Sequence, residues 1–306
     1  MNCMASRDRP VRLCVTNAKG GTGKTTIAIN VAGALNERGY DVLFVDLDPQ
    51  GNATEGLGLV EAYDRGPPTL FDALTDPDGA SMAPGLLVDH PEMTVLPSNI
   101  DLLQAERELT IAGLMARAKA EDMGIRAADL EPLALNIDPA MISPGNALDL
   151  LDPVLDAVEV GFDYVIVDSP PFYGQLTDTA IYATRNVIVP ALTEATSERA
   201  IELLIDQLAA LEAQADIRVD TVGVVANRVE QTNEDAAMIQ WLETVFSEFP
   251  VWQVRKRVAL QRAFSAGHSI FADEDAIDME RVFLQIADEL SRRFEQPTPT
   301  NQETQA

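Results

Sequence analysis

The chain has 306 residues, of which 46% are hydrophobic, enough for one α/β domain with a large core or for two small domains. It carries 49 acidic and 22 basic residues, a formal net charge of −27. No apolar run approaches the roughly 20 residues that span a bilayer, and the first residues contain no apolar secretion signal. The two cysteines, Cys3 and Cys14, indicate neither a disulfide framework nor a zinc or iron–sulfur site. The composition predicts a soluble cytoplasmic protein.

Short apolar strands alternate with amphipathic helices along the chain. Residues 11–17 predict a buried strand, followed by a glycine-rich loop and a helix from Thr25 to Arg38. Residues 41–46 predict the next strand, which completes a parallel strand–loop–helix–strand unit. The later predicted strands are 94–97, 164–168, 186–190 and 219–227, and the predicted helices between them are 99–118, 147–159, 195–213 and 234–247. This alternation predicts an α/β fold with a doubly wound, mostly parallel sheet flanked by helices.

Four segments need a separate interpretation. In residues 119–146 the apolar residues recur with no sustained helical or strand period, which predicts an insertion or flexible loop inside a domain that spans 11–294. Residues 1–10 are expected to be an N-terminal extension, and the polar residues 295–306 a disordered tail. The amphipathic segment 278–294 has an acidic polar face, which favours packing on the sheet over binding to a membrane.

The loop after the first strand has the spacing of a P-loop. Residues 18–26 read AKGGTGKTT between a strand and a helix, the context that this motif requires. Its glycines let backbone N–H groups turn towards phosphate oxygens, and the helix start adds a positive dipole end. A chance glycine-rich turn is the alternative. Lys24 is expected to reach the β- and γ-phosphates of ATP, and the Thr25 hydroxyl to bind Mg²⁺. The other predicted nucleotide-binding residues are Lys19, Gly20, Gly21, Thr22, Gly23 and Thr26.

A second lysine, Lys19, stands directly before two glycines, where an ordinary P-loop needs none. The sequence KGGTGKTT resembles the deviant Walker A motif of the ParA/MinD group of P-loop ATPases. The resemblance implies that Lys19 reaches across an ATP-dependent homodimer to the nucleotide of the partner. The alternative is a solvated charge at the edge of the loop.

Three further motifs resemble the same group. VDLDPQGN (45–52) resembles its Walker A′ motif, which implies that Asp48 orients the attacking water and that Asp46 lies near the metal. YVIVDSPP (164–171) resembles Walker B, which implies that Asp168 holds Mg²⁺ through a water and that the two prolines form a switch. VVANRVE (224–230) places Asn227 where the family has an Asn that reads the adenine edge. Each of these side chains has a structural alternative, because Asp and Asn also form turns after strands.

The resemblance to the ParA family covers residues 11–294 and includes the segments 69–76, 94–110 and 254–270. It implies a deviant Walker ATPase that forms an ATP sandwich dimer and binds DNA nonspecifically. A ParB-like partner would stimulate hydrolysis and release the DNA, so the protein would segregate a plasmid or chromosome and associate with the nucleoid. The chain departs from the family at Arg255, where a proline is usual. The residues before the first strand are too few for a helix-turn-helix domain, so autorepression is not expected.

A dense basic cluster is predicted to contact DNA phosphates. The alternative is a solvated face or a set of counter-charges to nearby carboxylates. Two other functions stay open: an orphan ATPase that positions a protein cargo, and a nucleotide-dependent scaffold that does not hydrolyse ATP. The cluster consists of Arg255, Lys256, Arg257 and Arg262.

The acidic excess has two interpretations. The chain is either an ordinary acidic protein or one adapted to a haloarchaeal cytosol, where molar salt screens the repulsion between carboxylates. The second interpretation predicts a loss of stability in dilute buffer. It also requires DNA binding to survive molar salt, which weakens phosphate contacts steeply. Lysine occurs only at Lys19, Lys24, Lys119 and Lys256, and the other 18 basic residues are arginine.

Overall fold

The computed structural model describes residues 9–121, 137, 148–194, 196–273 and 278–294. Within these residues there are eight strands: β1 (Val11–Val15), β2 (Val42–Asp46), β3 (Val88–His90), β4 (Met93–Leu96), β5 (Tyr164–Asp168), β6 (Asn186–Leu192), β7 (Asp220–Val229) and β8 (Val251–Arg255). They form one sheet in the order β3-β4-β2-β5-β1-β6-β7-β8. Neighbouring strands are parallel except for β3 and β4, which are antiparallel.

Helices cover both faces of the sheet. The α-helices are α1 (Lys24–Glu37), α2 (Asn52–Gly56), α3 (Val60–Tyr63), α4 (Leu70–Thr75), α5 (Leu102–Ala120), α6 (Leu151–Val158), α7 (Gln175–Thr184), α8 (Thr196–Ala215), α9 (Asn233–Val245), α10 (Val258–Ala266) and α11 (Glu280–Phe294). Short 3₁₀ helices occur at Gly79–Leu86 and Ile270–Ala272. Two apolar cores result, one between the sheet and α1, α10 and α11, and one between the sheet and α4 to α9. This arrangement confirms the predicted doubly wound α/β fold.

The three central strands β1, β2 and β5 are buried at every residue. Parallel strands that are covered on both faces need apolar side chains in both directions, which is why these segments are apolar runs without alternation. Asp168 at the end of β5 lies in register with Val15 of β1 and with Asp46 of β2. The segments that follow these three strands therefore meet at one edge of the sheet, which is where ligands bind in such folds.

The predicted insertion at 119–146 falls mostly outside the described residues. The helix α5 continues to Ala120, and Ile137 is buried, with its N–H donating to Glu108 Oε2 at 3.0 Å. Of the predicted N-terminal extension, the structure describes residues 9 and 10, and the predicted tail after residue 294 also lies outside the described residues.

The last helix packs on the sheet, as its apolar face predicts. The side chains of Phe283, Ile286 and Leu290 are fully buried, and α11 contacts α1. Within the described part of the chain, every helix is too short or too polar to cross a membrane.

Candidate functional site

The P-loop joins β1 to α1 at the carboxyl edge of the sheet. Gly21 and Gly23 have φ angles of 76° and 86°, a left-handed conformation that glycine adopts without a steric penalty. Gly23 is the N-cap of α1, and none of the described side chains caps that end of the helix. The first N–H groups of α1 are therefore available to an anion. Lys24 begins the helix and is 6% exposed, so its ammonium group is held inside the site.

Asn17 connects this loop to the neighbouring strand. Its Nδ2 donates to the carbonyl oxygen of Pro190 in β6 at 2.6 Å, and its Oδ1 accepts from the N–H of Lys19 at 3.0 Å. The side chain therefore fixes the start of the loop against the sheet. Asn17 is not among the residues predicted from the sequence. The one sequence feature that indicates its role is its position between the first strand and the glycines of the loop.

Asn227 lies directly against the P-loop. Its Nδ2 donates to the carbonyl oxygen of Thr22 at 2.8 Å, and its Oδ1 accepts from the N–H of Arg228 at 2.9 Å. A Cβ atom at Gly23 would lie 2.2 Å from this amide nitrogen, so only glycine permits the approach. Both polar groups of the Asn227 side chain thus contact protein. The role of this residue in reading adenine stays a prediction.

Three aspartates meet beside the P-loop, each of them at most 3% exposed. Asp46 and Asp168 are in register on neighbouring strands, and Asp48 follows two residues after Asp46. The Asp46 carboxylate accepts hydrogen bonds from the N–H and the hydroxyl of Thr54, at 2.8 and 2.7 Å, and from the N–H of Asp48 at 3.2 Å. Among the described residues, neither carboxylate oxygen of Asp168 has a hydrogen-bond partner. The Asp46 carboxylate is therefore occupied by protein donors, whereas that of Asp168 is open.

Burial raises the pKa of all three aspartates. It brings the pKa of Asp46 to about 7, and the nearby charge of Asp48 adds to this effect. The pKa of Asp168 is raised well above its usual value by burial and by the nearby charge of Asp46, although the Lys24 ammonium opposes the rise. Burial lowers the pKa of Lys24, and the charges of Asp168 and Asp48 oppose that change. The site holds three carboxyl groups against one ammonium, an imbalance that a divalent cation would offset.

These residues fit a Mg²⁺ ion that is held mainly by nucleotide phosphates and water. Such ions use one or two carboxylates together with substrate phosphates, rather than a cage made wholly of protein. In agreement with that, the described residues contain no group of three His, Cys, Asp or Glu side chains that could hold a metal by itself. Asp168, whose buried carboxylate has no partner among the described residues, and Thr25 at the start of α1 would supply the oxygen ligands that Mg²⁺ prefers.

Lys19 turns towards α8 of its own chain. Its ammonium donates to the hydroxyl of Thr196 at 2.7 Å and to the hydroxyl of Ser197 at 3.2 Å, and it lies 3.2 Å from a carboxylate oxygen of Glu194. The Lys19 side chain is 24% exposed. In this arrangement the lysine is partly buried and has three partners within one chain.

A cavity of about 440 Å³ opens beside α1, next to the P-loop. Thr26 and Asn227 form its P-loop side, and the segment from β8 to α10 forms the opposite wall. Three residues of the basic cluster, Arg255, Lys256 and Arg257, are thus brought next to the phosphate loop although they are distant along the chain. The cavity is lined by Thr26, Asn227, Arg228, Arg255, Lys256, Arg257, Leu260, Gln261, Phe264 and Ser265.

The four residues of the basic cluster do not share one environment. Arg255 lines the cavity and Arg262 lies outside it, and within the described chain neither side chain has an ion pair. The other two already pair with carboxylates, so they act as counter-charges in this structure. These pairs are Lys256 with Glu230 at 2.6 Å and Arg257 with Asp278 at 2.5 Å.

A P-loop with two lysines, together with aspartates at the ends of neighbouring parallel strands, defines a P-loop ATPase of the deviant Walker class. The chain belongs to the AAA_31 family of AAA domains, whose profile matches residues 12–221.

Known relatives agree with this class. The chromosome-partitioning ATPase Soj of Thermus thermophilus is 28% identical over 287 residues, which cover 93% of this chain and 97% of that protein. Two solved structures are also similar. An ATP complex of McdA from Cyanothece has a TM-score of 0.71 at 21% identity, covering 93% of this chain and 98% of that one. Cobyrinic acid a,c-diamide synthase of Mycobacterium smegmatis, with a bound ATP analogue and magnesium, has a TM-score of 0.66 at 25% identity, covering 94% and 96%.

Proposed function

We propose that this chain is a ParA-type ATPase that forms an ATP-dependent sandwich homodimer, binds DNA nonspecifically and segregates a plasmid or chromosome with a ParB-like partner. The observation that carries the proposal is the meeting of Lys24 with three buried aspartates beside a P-loop that also contains Lys19. Likeness to the chromosome-partitioning ATPase Soj over nearly the whole chain supports the biological role.

ATP binding would use the backbone of the P-loop and the start of α1. The first N–H groups of α1, which have no side-chain cap at Gly23, would bind the phosphates, and Lys24 would add a full positive charge. A bound Mg²⁺ would offset the charge of the β- and γ-phosphates, with Thr25 and Asp168 as its protein ligands.

Hydrolysis would depend on Asp48. Phosphoryl transfer needs a correctly placed water and charge stabilisation more than a strong base. Asp48 is nearly buried, and one of its carboxylate oxygens accepts from the N–H of Gln50 at 3.0 Å, which holds the side chain in place. The carboxylate can therefore orient a water without leaving its own hydrogen bond.

DNA binding would involve the unpaired arginines of the basic cluster. Arg255 and Arg262 make no ion pair with a described carboxylate, whereas Lys256 and Arg257 would have to exchange an intramolecular partner for a phosphate. Two of the four cluster residues already pair with carboxylates of this chain. This observation favours a second candidate function, an ATPase that positions a protein cargo.

The ATPase proposal is tested by phosphate release and calorimetry in high salt. The wild type should hydrolyse ATP in the presence of Mg²⁺. Asp48→Ala should bind ATP as the wild type does but turn over about 100-fold more slowly, because only the water-orienting group is lost. ATP-induced dimers should then accumulate. Lys24→Ala should lose ATP binding by about 100-fold. Wild-type turnover in Asp48→Ala would show that Asp48 is a structural turn residue.

The DNA proposal is tested by retention of long duplex DNA on ATP-loaded protein across a KCl series. The double variant Arg255→Glu/Arg262→Glu should lose ATP-dependent binding and keep its basal hydrolysis. A control with the same change in net charge is Arg199→Glu/Arg292→Glu, which alters exposed arginines on α8 and α11. Wild-type affinity should fall as salt rises. DNA retention that is unchanged in the cluster variant and unchanged across the KCl series would favour the protein-cargo function.

A further inference from the structure

Thr54 links the acidic motif to the short helix α2. It lies eight residues after Asp46 and is fully buried. Its N–H and its hydroxyl both donate to Oδ2 of Asp46, at 2.8 and 2.7 Å. Two donors from one residue hold this carboxylate in a fixed orientation.

Ser98 reaches the same motif from the residues after β4, and it is 1% exposed. Its N–H donates to the hydroxyl oxygen of Thr54 at 2.9 Å, and its own hydroxyl donates to the carbonyl oxygen of Asp48 at 2.5 Å. A hydroxyl group can donate its one proton and also accept a hydrogen bond on its oxygen. The Thr54 hydroxyl therefore donates to Asp46 while its oxygen accepts from the N–H of Ser98.

These contacts close into a ring of four residues. The ring runs from Asp46 to Thr54, on to Ser98, on to Asp48, and back to Asp46 through the N–H of Asp48, which donates to Oδ1 of Asp46 at 3.2 Å. Both backbone polar groups of Asp48 are therefore held, its N–H by Asp46 and its carbonyl oxygen by Ser98. The side chain of Asp48 is not part of the ring.

The ring also separates the roles of the two strand-end carboxylates. Asp46 has both oxygens engaged by ring members, whereas in the described structure both oxygens of Asp168 are without a partner. A carboxylate with its oxygens already bonded is a positioning group, and one that is bare and buried can accept a metal or its water.

We propose that Thr54 and Ser98 are positioning residues that fix the backbone of Asp48, with Asp46 as the anchor of their hydrogen-bond ring. The proposal rests on the proposed function, because the group being positioned is the one that orients the attacking water. Displacement of a reacting group by about 1 Å can cost a hundredfold in rate, so loosening the ring should slow hydrolysis and leave nucleotide binding intact.

The test separates turnover from ATP affinity. Thr54→Val keeps the shape but removes the hydroxyl, and Ser98→Ala removes the bond to Asp48. Each should lower single-turnover hydrolysis by about tenfold to a hundredfold, with the Kd for ATP within about threefold of wild type because the P-loop is untouched. Thr54→Ser restores the hydroxyl and should recover most of the rate.

Two controls make the result specific. Thr184→Val removes a similarly buried hydroxyl that donates to Ala180 in α7, away from the ring, and should leave turnover unchanged. The double variant Thr54→Val/Asp48→Ala should hydrolyse no more slowly than Asp48→Ala alone, because residues that act through one group are not additive. If Thr54 had only a general structural role, the losses of hydrolysis rate from the two substitutions, expressed as free energies, would instead add.

Three results would overturn the proposal. These are turnover of folded Thr54→Val within about twofold of wild type, a loss of ATP affinity as large as the loss of rate, and no rescue by Thr54→Ser. If the wild type itself does not hydrolyse ATP, the proposed function fails separately. The ring is then tested by amide hydrogen exchange, in which Ser98→Ala should speed exchange around Asp48 and Thr184→Val should not.

Discussion

Lys19 contacts its own chain through three side chains at the start of α8, namely Glu194, Thr196 and Ser197. The Glu194 side chain is 60% exposed, and exposed ion pairs contribute little free energy. The lysine can therefore exchange these partners for a nucleotide phosphate of a second protomer at small cost. Face-to-face triphosphates repel one another, and an additional ammonium at each site reduces that repulsion.

Lys19→Ala should consequently weaken ATP-dependent dimerisation by at least about tenfold. ATP should still bind each monomer, because Lys24 and the loop amides are unchanged. Light scattering with and without ATP measures the dimer, and calorimetry measures binding. Arg199→Ala, an exposed cation on α8 that pairs with Glu202, is the matched control. Full ATP-dependent dimerisation of Lys19→Ala would show that the lysine does not act across the interface.

Single residues could be predicted where they belong to a contiguous motif. Lys24, Asp48 and Asp168 stand in short patterns after apolar strands, and the structure brings these three side chains together. Thr54 and Ser98 could not be predicted, because each is an isolated hydroxyl residue that reaches Asp46 or Asp48 only after folding. Local sequence carries no signal for hydrogen bonds that join separate segments.

At the scale of elements, β1 is joined to α6 by one arginine. Arg12 is buried and binds three carboxylates of the α6 region, spaced four and three residues apart so that they share a helix face. Its environment raises its pKa, since these carboxylates outweigh the effect of burial. The contacts lie at the start of β1, at the opposite end of the strand from the P-loop. They are to Glu159 at 2.6 Å, Asp152 at 2.6 Å and Asp156 at 2.5 Å.

Arg12→Met should lower the free energy of unfolding by about 3 kcal/mol, because it leaves buried Glu159 without a counter-charge. Arg38→Met is the matched control. Arg38 also makes two hydrogen bonds to one carboxylate, Asp288, but this pair is exposed and should be worth at most about 1 kcal/mol. Urea unfolding measures both variants. Equal losses of unfolding free energy in the two variants would contradict the argument from burial. The ATP affinity of both variants should stay unchanged.

Whole elements could be predicted where both faces of a strand are covered. The strands β1, β2, β5, β6 and β7 are buried runs, and their predicted positions are confirmed. The strand β8 was not predicted. It lies at the edge of the sheet, so Gln253 is exposed between the buried residues Trp252 and Val254, and the apolar run is broken. The strand β3 has only three residues, too few for a pattern.

At the scale of the whole molecule, the net charge of −27 on 306 residues opposes the compact state. Apart from the three carboxylates that bind Arg12, the ion pairs between described residues join one carboxylate to one cation, and several of these pairs lie at the surface. With 49 acidic residues against 22 basic ones, the carboxylates outnumber their possible cationic partners by 27. Salt should act on this excess as a whole rather than on one pair.

The melting temperature should accordingly rise by at least about 5 °C between roughly 0.1 M and 2 M KCl, which corresponds to a gain of about 1–3 kcal/mol for a protein of this size. Most of the rise should occur below about 1 M, because the Debye length falls from about 10 Å to about 3 Å over that range. Sucrose is the control, since it stabilises proteins by exclusion from their surface and does not screen charge. Calorimetry in both series makes the comparison. A melting temperature that does not change with KCl would contradict the halophilic interpretation, and equal curves in KCl and sucrose would assign the gain to exclusion rather than to screening.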